Sequence, residues 1–240
     1  MTLTNAHKDI DLYRAIAREL GHNIGPGSLI LDFGCGAGQM VRQLREGGYK
    51  AYGTDIVPSE QYEFLRVIPD SGDYRIPFEE GMFDAIISCS VLEHVKNLPI
   101  AVAEMHRVLK PGGFCLHFFP PNLRLIEDHI FVPFAGVFQG FFWLLFWSFL
   151  GVRNSFGRSR LYRENALHNY KFLKEQTAYI SKRKLRECMS RSFDKVIFAE
   201  KYHIRHSYGR ARMIYPLVAV LPPVASLYSS FHMRVLYCRK

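Results

Sequence analysis

Eight residues, Leu31-Asp32-Phe33-Gly34-Cys35-Gly36-Ala37-Gly38, constrain this chain more than any others. The apolar run over 28–32 reads as a buried strand that ends in an acid. Ala37, Met40, Val41 and Leu44 then recur on one helical face, closed by Gly47-Gly48. A glycine loop between strand and helix is where an open α/β sheet binds ligands. Glycine permits a tight turn and a close backbone approach. A dinucleotide-binding G-x-G-x-x-G would need glycine at position 39, where Gln39 stands. The acid at the strand end suits a ligand with a positive ammonium group rather than a pyrophosphate.

Elements of the same kinds continue along the chain. Ile10, Tyr13, Ile16, Ala17 and Leu20 predict an opening amphipathic helix, broken at Gly25-Pro26-Gly27. Strands are expected over 49–55, 83–89 and 114–119, and a helix is expected after Pro58. Leu98, Val102, Met105 and Leu109 mark a helix that stops at Pro111-Gly112-Gly113. Ser181 caps a further helix, and 193–199 and 234–238 read as two last strands. Alternating strands and helices predict an α/β fold. The expected form is a Rossmann-like, doubly wound, seven-stranded, mostly parallel sheet, with a hydrophobic helical insertion after the fifth strand. Residues 1–119 form the cofactor-binding part, 120–180 the insertion or cap, and 181–240 the elements that complete the sheet.

Hydrophobic residues make up 48% of the chain, enough for a packed core. The net charge of +9 is concentrated: 16 Lys or Arg face 5 Asp or Glu over 151–212, leaving 15 against 17 elsewhere. That stretch implies an acidic neighbour, whether lipid headgroup, phosphorylated substrate or nucleic acid, or else a solubilising surface. Five cysteines without C-x-x-C spacing suggest neither a disulfide framework nor a zinc site. With a polar first segment, they lead us to expect a cytoplasmic setting.

Several segments occur in the order and positions of a known family. Besides 31–38, these are Asp55 at the end of the second strand, Asp73-Tyr74-Arg75-Ile76-Pro77-Phe78, Phe83-Asp84-Ala85-Ile86-Ile87-Ser88, Val91-Leu92-Glu93-His94-Val95 and Arg107-Val108-Leu109-Lys110-Pro111-Gly112-Gly113. Over about 10–119 the chain resembles the class I S-adenosylmethionine-dependent methyltransferases. The likeness is to the small-molecule group, including type 11 and ubiquinone-pathway O-methyltransferase-like members. The resemblance implies S-adenosyl-L-methionine as cofactor and S-adenosyl-L-homocysteine as product. It implies that Asp32, Phe33, Gly34, Cys35, Gly36, Gly38 and Gln39 surround the methionine part. Asp55 and Ile56 would meet the ribose, Asp73 and Tyr74 the adenine, and Ser90 the mouth after the fourth strand. The spacing from Asp73 to the proline is one residue shorter than the common form. Ubiquinone-pathway relatives hold a divalent ion at a Glu-His pair with a glutamate three residues earlier. Here that earlier position is Ser90, so no metal ligand set is assigned.

Methyl transfer to a hydroxyl benefits from a base, for which histidine is the default. His94 and His129 are the catalytic candidates, whereas His117, among apolar neighbours, reads as a packed strand residue. Asp84 reads as structural. Residues 130–150 hold seven Phe, two Trp and no charge, a length that could span a bilayer. Strands on both sides of the insertion must join one sheet, so a single crossing is excluded. The insertion is read as a lid over an apolar acceptor, a peripheral contact with an anionic membrane at its inner face, or a homodimer interface. The acceptor is expected to be a small hydrophobic or lipid-linked molecule, methylated on oxygen, with a sugar or glycolipid as the alternative. Nucleic acid is disfavoured because no Asn/Asp-Pro-Pro-Tyr tetrapeptide is present.

Overall fold

The computed structural model describes residues 10–57, 62–69, 74–153, 161–208 and 210–240. Its centre is one seven-stranded sheet: β1 (Leu29–Phe33), β2 (Lys50–Asp55), β3 (Leu65–Val67), β4 (Phe83–Cys89), β5 (Leu109–Phe119), β6 (Lys195–Phe198) and β7 (Arg234–Arg239). The spatial order is β3-β2-β1-β4-β5-β7-β6. β1 to β5 pair in parallel, and β7 runs antiparallel between β5 and β6. The expected mostly parallel, doubly wound class is therefore what the chain adopts. The order reverses between β1 and β4, which opens a crevice beyond their C-terminal ends.

Alternation along each strand sends neighbouring side chains to opposite faces. Ile30 packs with α1 (Ile10–Glu19) and α2 (Gln39–Glu46) on one face. Leu31 packs with α3 (Leu98–Val108) and, further along the sheet, α6 (Lys182–Met189) on the other. Tyr13 of α1 reaches through the core and donates its hydroxyl proton to the Ser88 carbonyl at 3.2 Å. Ser181 caps α6 as expected, its Oγ accepting from Lys184 N at 3.4 Å.

One local expectation needs correction, one strand was not anticipated, and one expected helix falls on residues outside those described. The helix expected after Pro58 begins on 58–61, which lie outside the described residues; 62–64 form a turn that runs into β3. β3 escapes a reading by alternation because only Leu65 of its three residues is buried. β5 begins at Leu109 rather than 114, with Pro111-Gly112-Gly113 inside a register shift opposite Phe83 and Ala85. Asp84 stabilises that irregular edge: one oxygen accepts from Leu29 N at 2.8 Å and the other pairs with Lys110 Nζ at 2.6 Å. Its structural role is as expected.

The insertion forms α4 (Phe141–Phe149) and α5 (Tyr162–Gln176), which pack on each other around their own cluster of Ile130, Val132, Ala135, Leu144, Ala166 and Leu173. Inside it, Asn165 Nδ2 donates to Ser148 Oγ at 2.8 Å. The stretch over 130–150 is thus a loop and one nine-residue helix. Among the described residues no helix is long and apolar enough to cross a membrane. The link from β6 to β7 is helical as well, which the strand pattern did not reveal: α7 (Glu200–His206), α8 (Arg210–Met213), α9 (Tyr215–Val220) and α10 (Pro223–Ser229). Pro216 and Pro223 sit in the first turns of α9 and α10, where a missing N–H costs nothing.

Candidate functional site

The crevice at the reversal point holds a cavity of about 670 Å³, within the range usual for small-molecule sites. β1 supplies Phe33 and Gly34, β2 supplies Thr54, Asp55 and Ile56, and the segment after β4 supplies Ser90, Val91 and His94. Ile68, Pro69 and Tyr74 form a side wall. Gln176, at the end of α5, closes the acceptor side from the insertion.

The glycine loop is fixed from within. Gly34 N and Cys35 N both donate to the Thr54 carbonyl, at 2.7 and 3.1 Å, and Gly38 N donates to Cys35 O at 2.8 Å. Gly36 N donates to Asp55 Oδ2 at 2.8 Å, while Asp55 Oδ1 accepts from Val57 N at 3.2 Å. Four of the loop's N–H groups are consumed inside the protein. A pyrophosphate cradle needs such donors free, so the loop is built for a different ligand.

The glycines serve distinct ends. Gly34 has φ +77°, and a Cβ there would lie 2.2 Å from Val91 Cγ2, so glycine lets the loop press against the segment after β4. A Cβ on Gly36 would meet nothing within 4 Å, which leaves open space above the middle of the loop. Cys35 turns inward, its Sγ 2.7 Å from where a Gly53 Cβ would stand, and burial with the Asp32 and Asp55 charges pushes its thiol up to about 12. Asp32 is buried beneath the loop. Gln39 opens α2. Ser90 holds φ 57° although it carries a side chain, a strained conformation of the kind concentrated at functional sites. Tyr74 stands close enough to Asp55 that burial and that charge both raise its phenol. Asp73 lies outside the described residues.

Beyond Ser90 the chain makes a 3₁₀ turn, Leu92–His94, which places two ionisable groups back to back. His94 Nδ1 lies 2.6 Å from the Gln176 carbonyl, which can only accept, so Nδ1 carries the proton and Nε2 keeps its lone pair. Burial lowers the His94 pKa, and the charge of His129 lowers it further. The His129 ring meets His94 edge-on at 5.0 Å between centroids and packs on Phe172 at 5.2 Å. The structure therefore brings the two candidate histidines together, from segments far apart in sequence. His129 shifts the other way, raised first by its 2.7 Å hydrogen bond to Glu127 Oε1. Glu127 also accepts from His129 N and Ile130 N, both at 2.8 Å, and from the Tyr179 hydroxyl at 2.8 Å. Adjacent groups with oppositely displaced pKa values are the usual mark of divided acid and base roles.

Glu93 is 1% exposed and is not one of the residues that line this cavity. Burial raises it to about 8, so it is mostly protonated at pH 7. Its oxygen, 3.9 Å from His94 Nε2, is then not an ion-pair partner. A carboxyl raised on folding favours the folded state below its unfolded value, near 4.5, and loses that contribution as pH climbs toward 8. Thermal unfolding of the wild type should accordingly show a midpoint falling by several degrees from pH 5 to pH 8. Glu93→Gln should flatten that fall and be the more stable form at pH 8; equal slopes would show that Glu93 does not titrate in this window.

His117 is fully buried, bonded through Nδ1 to Ser88 Oγ at 2.7 Å, and burial pushes it down to about 3; it is the packed residue expected. Among the described residues no three His, Cys, Asp or Glu side chains converge as a metal ligand set. Thr54, Glu127, Gln176 and Tyr179 are site residues that the sequence did not single out. Only Glu127 left a signal, in Glu127-Asp128-His129.

Residues 31–117 match the family described as Methyltransferase domain. Over those residues the chain carries a class I S-adenosylmethionine-dependent methyltransferase domain. The chain is 30% identical over 118 residues to malonyl-[acyl-carrier protein] O-methyltransferase of Serratia marcescens, covering 44% of this chain and 46% of that protein. It is 29% identical over 165 residues to demethylmenaquinone methyltransferase of Symbiobacterium thermophilum, covering 61% and 64%. Each match spans less than two thirds of the relative's length. An S-adenosylmethionine-dependent methyltransferase from Mesorhizobium loti shares the fold, with TM-score 0.53, 15% identity and coverage of 95% of this chain and all of that one.

Proposed function

We propose that this protein transfers a methyl group from S-adenosyl-L-methionine to a hydroxyl of a small hydrophobic or lipid-linked acceptor. The observation that carries the reading is the glycine loop with its N–H donors already spent, set beside a carboxylate and an open cavity at the reversal point. Such a seat suits an amino acid joined to a nucleoside. Asp55 can accept both ribose hydroxyls. Ile56 and Tyr74 offer faces for the adenine, while Asp32, Phe33, Gly34, Cys35, Gly36, Gly38 and Gln39 shape the methionine end. Ser90 stands where cofactor and acceptor spaces meet.

When bound, the cofactor supplies an electrophilic methyl on a sulfonium, and the protein supplies alignment and proton transfer. His94 accepts the hydroxyl proton at Nε2 as the acceptor oxygen takes the methyl. The Gln176 carbonyl keeps the required tautomer. Glu127 holds His129 in place, and the positive charge it favours there keeps its neighbour His94 neutral.

Two relatives are named for unlike acceptors, malonyl-[acyl-carrier protein] and demethylmenaquinone, so the apolar preference rests on this chain's own insertion. Incubating the protein with methyl-tritiated cofactor and a chloroform–methanol lipid extract should place label in the organic phase. Label appearing only in a water-soluble glycan fraction would favour the sugar alternative. No label in either fraction would contradict the reading.

A further inference from the structure

Two regions carry large apolar side chains into solvent. On α4, Phe142 and Phe149 are 83% and 69% exposed, with Phe146 beside them. Around α9, Met213 and Val220 are 78% and 77% exposed, with Leu217 between them. A chain of contacts joins the regions. Trp143 Nε1 of α4 donates to Pro133 O at 2.9 Å, and Phe134 N donates to Leu125 O at 3.0 Å. Arg124 Nη1 donates to His232 O at 3.3 Å, and the His232 ring stacks on Tyr228 of α10 at 4.2 Å. Leu123, Leu125 and Ile126 are exposed on the connecting loop. α10 in turn packs against α9.

Neither 130–150 nor 213–228 contains a charged residue. Cations border both: Arg153 just after α4, Arg163 in the first turn of α5, and Arg212 immediately before Met213. We propose that these linked regions form a face that docks on the surface of an anionic lipid bilayer. A helix of nine residues is about 14 Å long, too short to cross and suited to lying in the interfacial plane. Aromatic rings sink among acyl chains while bordering arginines meet phosphate headgroups. A two-fold contact between copies would bring the same positive borders together, which disfavours a homodimer through this face. The face also touches the site, because α4 packs on α5 and α5 ends at Gln176 in the cavity wall. Docking would hold the acceptor side of the cavity beside the membrane. In naming a membrane-resident acceptor the inference rests on the proposed methyl transfer, but its test does not depend on catalysis.

The full chain is mixed with vesicles of phosphatidylcholine, with and without phosphatidylglycerol, and sedimented. It should pellet with the anionic vesicles, less so at high salt. Phe142→Ser/Phe149→Ser should lower the bound fraction about tenfold or more, with homocysteine-cofactor affinity and thermal midpoint unchanged. No pelleting with either vesicle would overturn the proposal, as would pelleting that the double variant leaves intact. A dimer in equilibrium sedimentation that the double variant dissociates would show a subunit interface instead. Failure to bind vesicles with intact S-adenosylhomocysteine binding removes the docking face alone; failure to bind that ligand removes the methyltransferase reading.

Discussion

Asp55→Ala weakens S-adenosylmethionine binding by about two orders of magnitude or more. Each hydrogen bond to a charged group contributes about 1.5–3 kcal/mol, and in the proposed seat the carboxylate accepts two from the ribose. The same side chain accepts from Gly36 N at 2.8 Å, so its loss also frees the middle of the glycine loop. Asp55→Asn separates the two contributions. Its amide oxygen can still take Gly36 N–H, but its NH₂ cannot accept the second ribose hydroxyl, so its affinity should fall between wild type and Ala. Calorimetric titration of the three proteins, with matched thermal midpoints, checks the order. An Asp55→Ala affinity within twofold of wild type would remove Asp55 as the ribose ligand.

His94→Gln slows methyl transfer by about 10² to 10⁴, the range of general-base contributions, while leaving cofactor affinity near wild type. The wild-type imidazole has its protonated nitrogen fixed on Gln176 O, and His94 lines the cavity. Because burial and the His129 charge hold its pKa below the usual 6.5, the neutral base persists into mildly acid solution. The wild-type rate should therefore stay level down through pH 6.5 and decline only below it, and this acid limb should vanish in His94→Gln. Glu127→Gln weakens the hold on the His129 charge, whose lowering effect on His94 exceeds the direct raising effect of Glu127, so the acid limb should move upward. A wild-type turnover for His94→Gln, measured with labelled cofactor on the lipid extract, would exclude it as the base.

The parts of this fold legible in the sequence are those whose cause is local. The glycine loop, the strands over 28–32 and 83–89 and the helix bearing Leu98 to Met105 follow from turn chemistry and hydrophobic spacing. β3 was hidden because three residues with one buried side chain carry too little pattern. α9 and α10 were hidden because their prolines read as breakers, whereas they begin those helices; α7 and α8, of seven and four residues, are too short to carry a clear period. At the site, Asp55 was visible as the acid that ends β2. Gln176 was not, since its use is a backbone carbonyl 82 residues from His94. The purpose of the glycines was only half visible. That Gly36 faces open space while Gly34 seats Val91 depends on a segment that arrives from β4.

Titration of the intact, folded chain with S-adenosylhomocysteine in a calorimeter tests the central claim most directly. One molecule should bind per chain, and NAD at the same concentrations should give no heat, because the loop's donors are already engaged. Saturable binding of NAD without binding of S-adenosylhomocysteine would contradict the account.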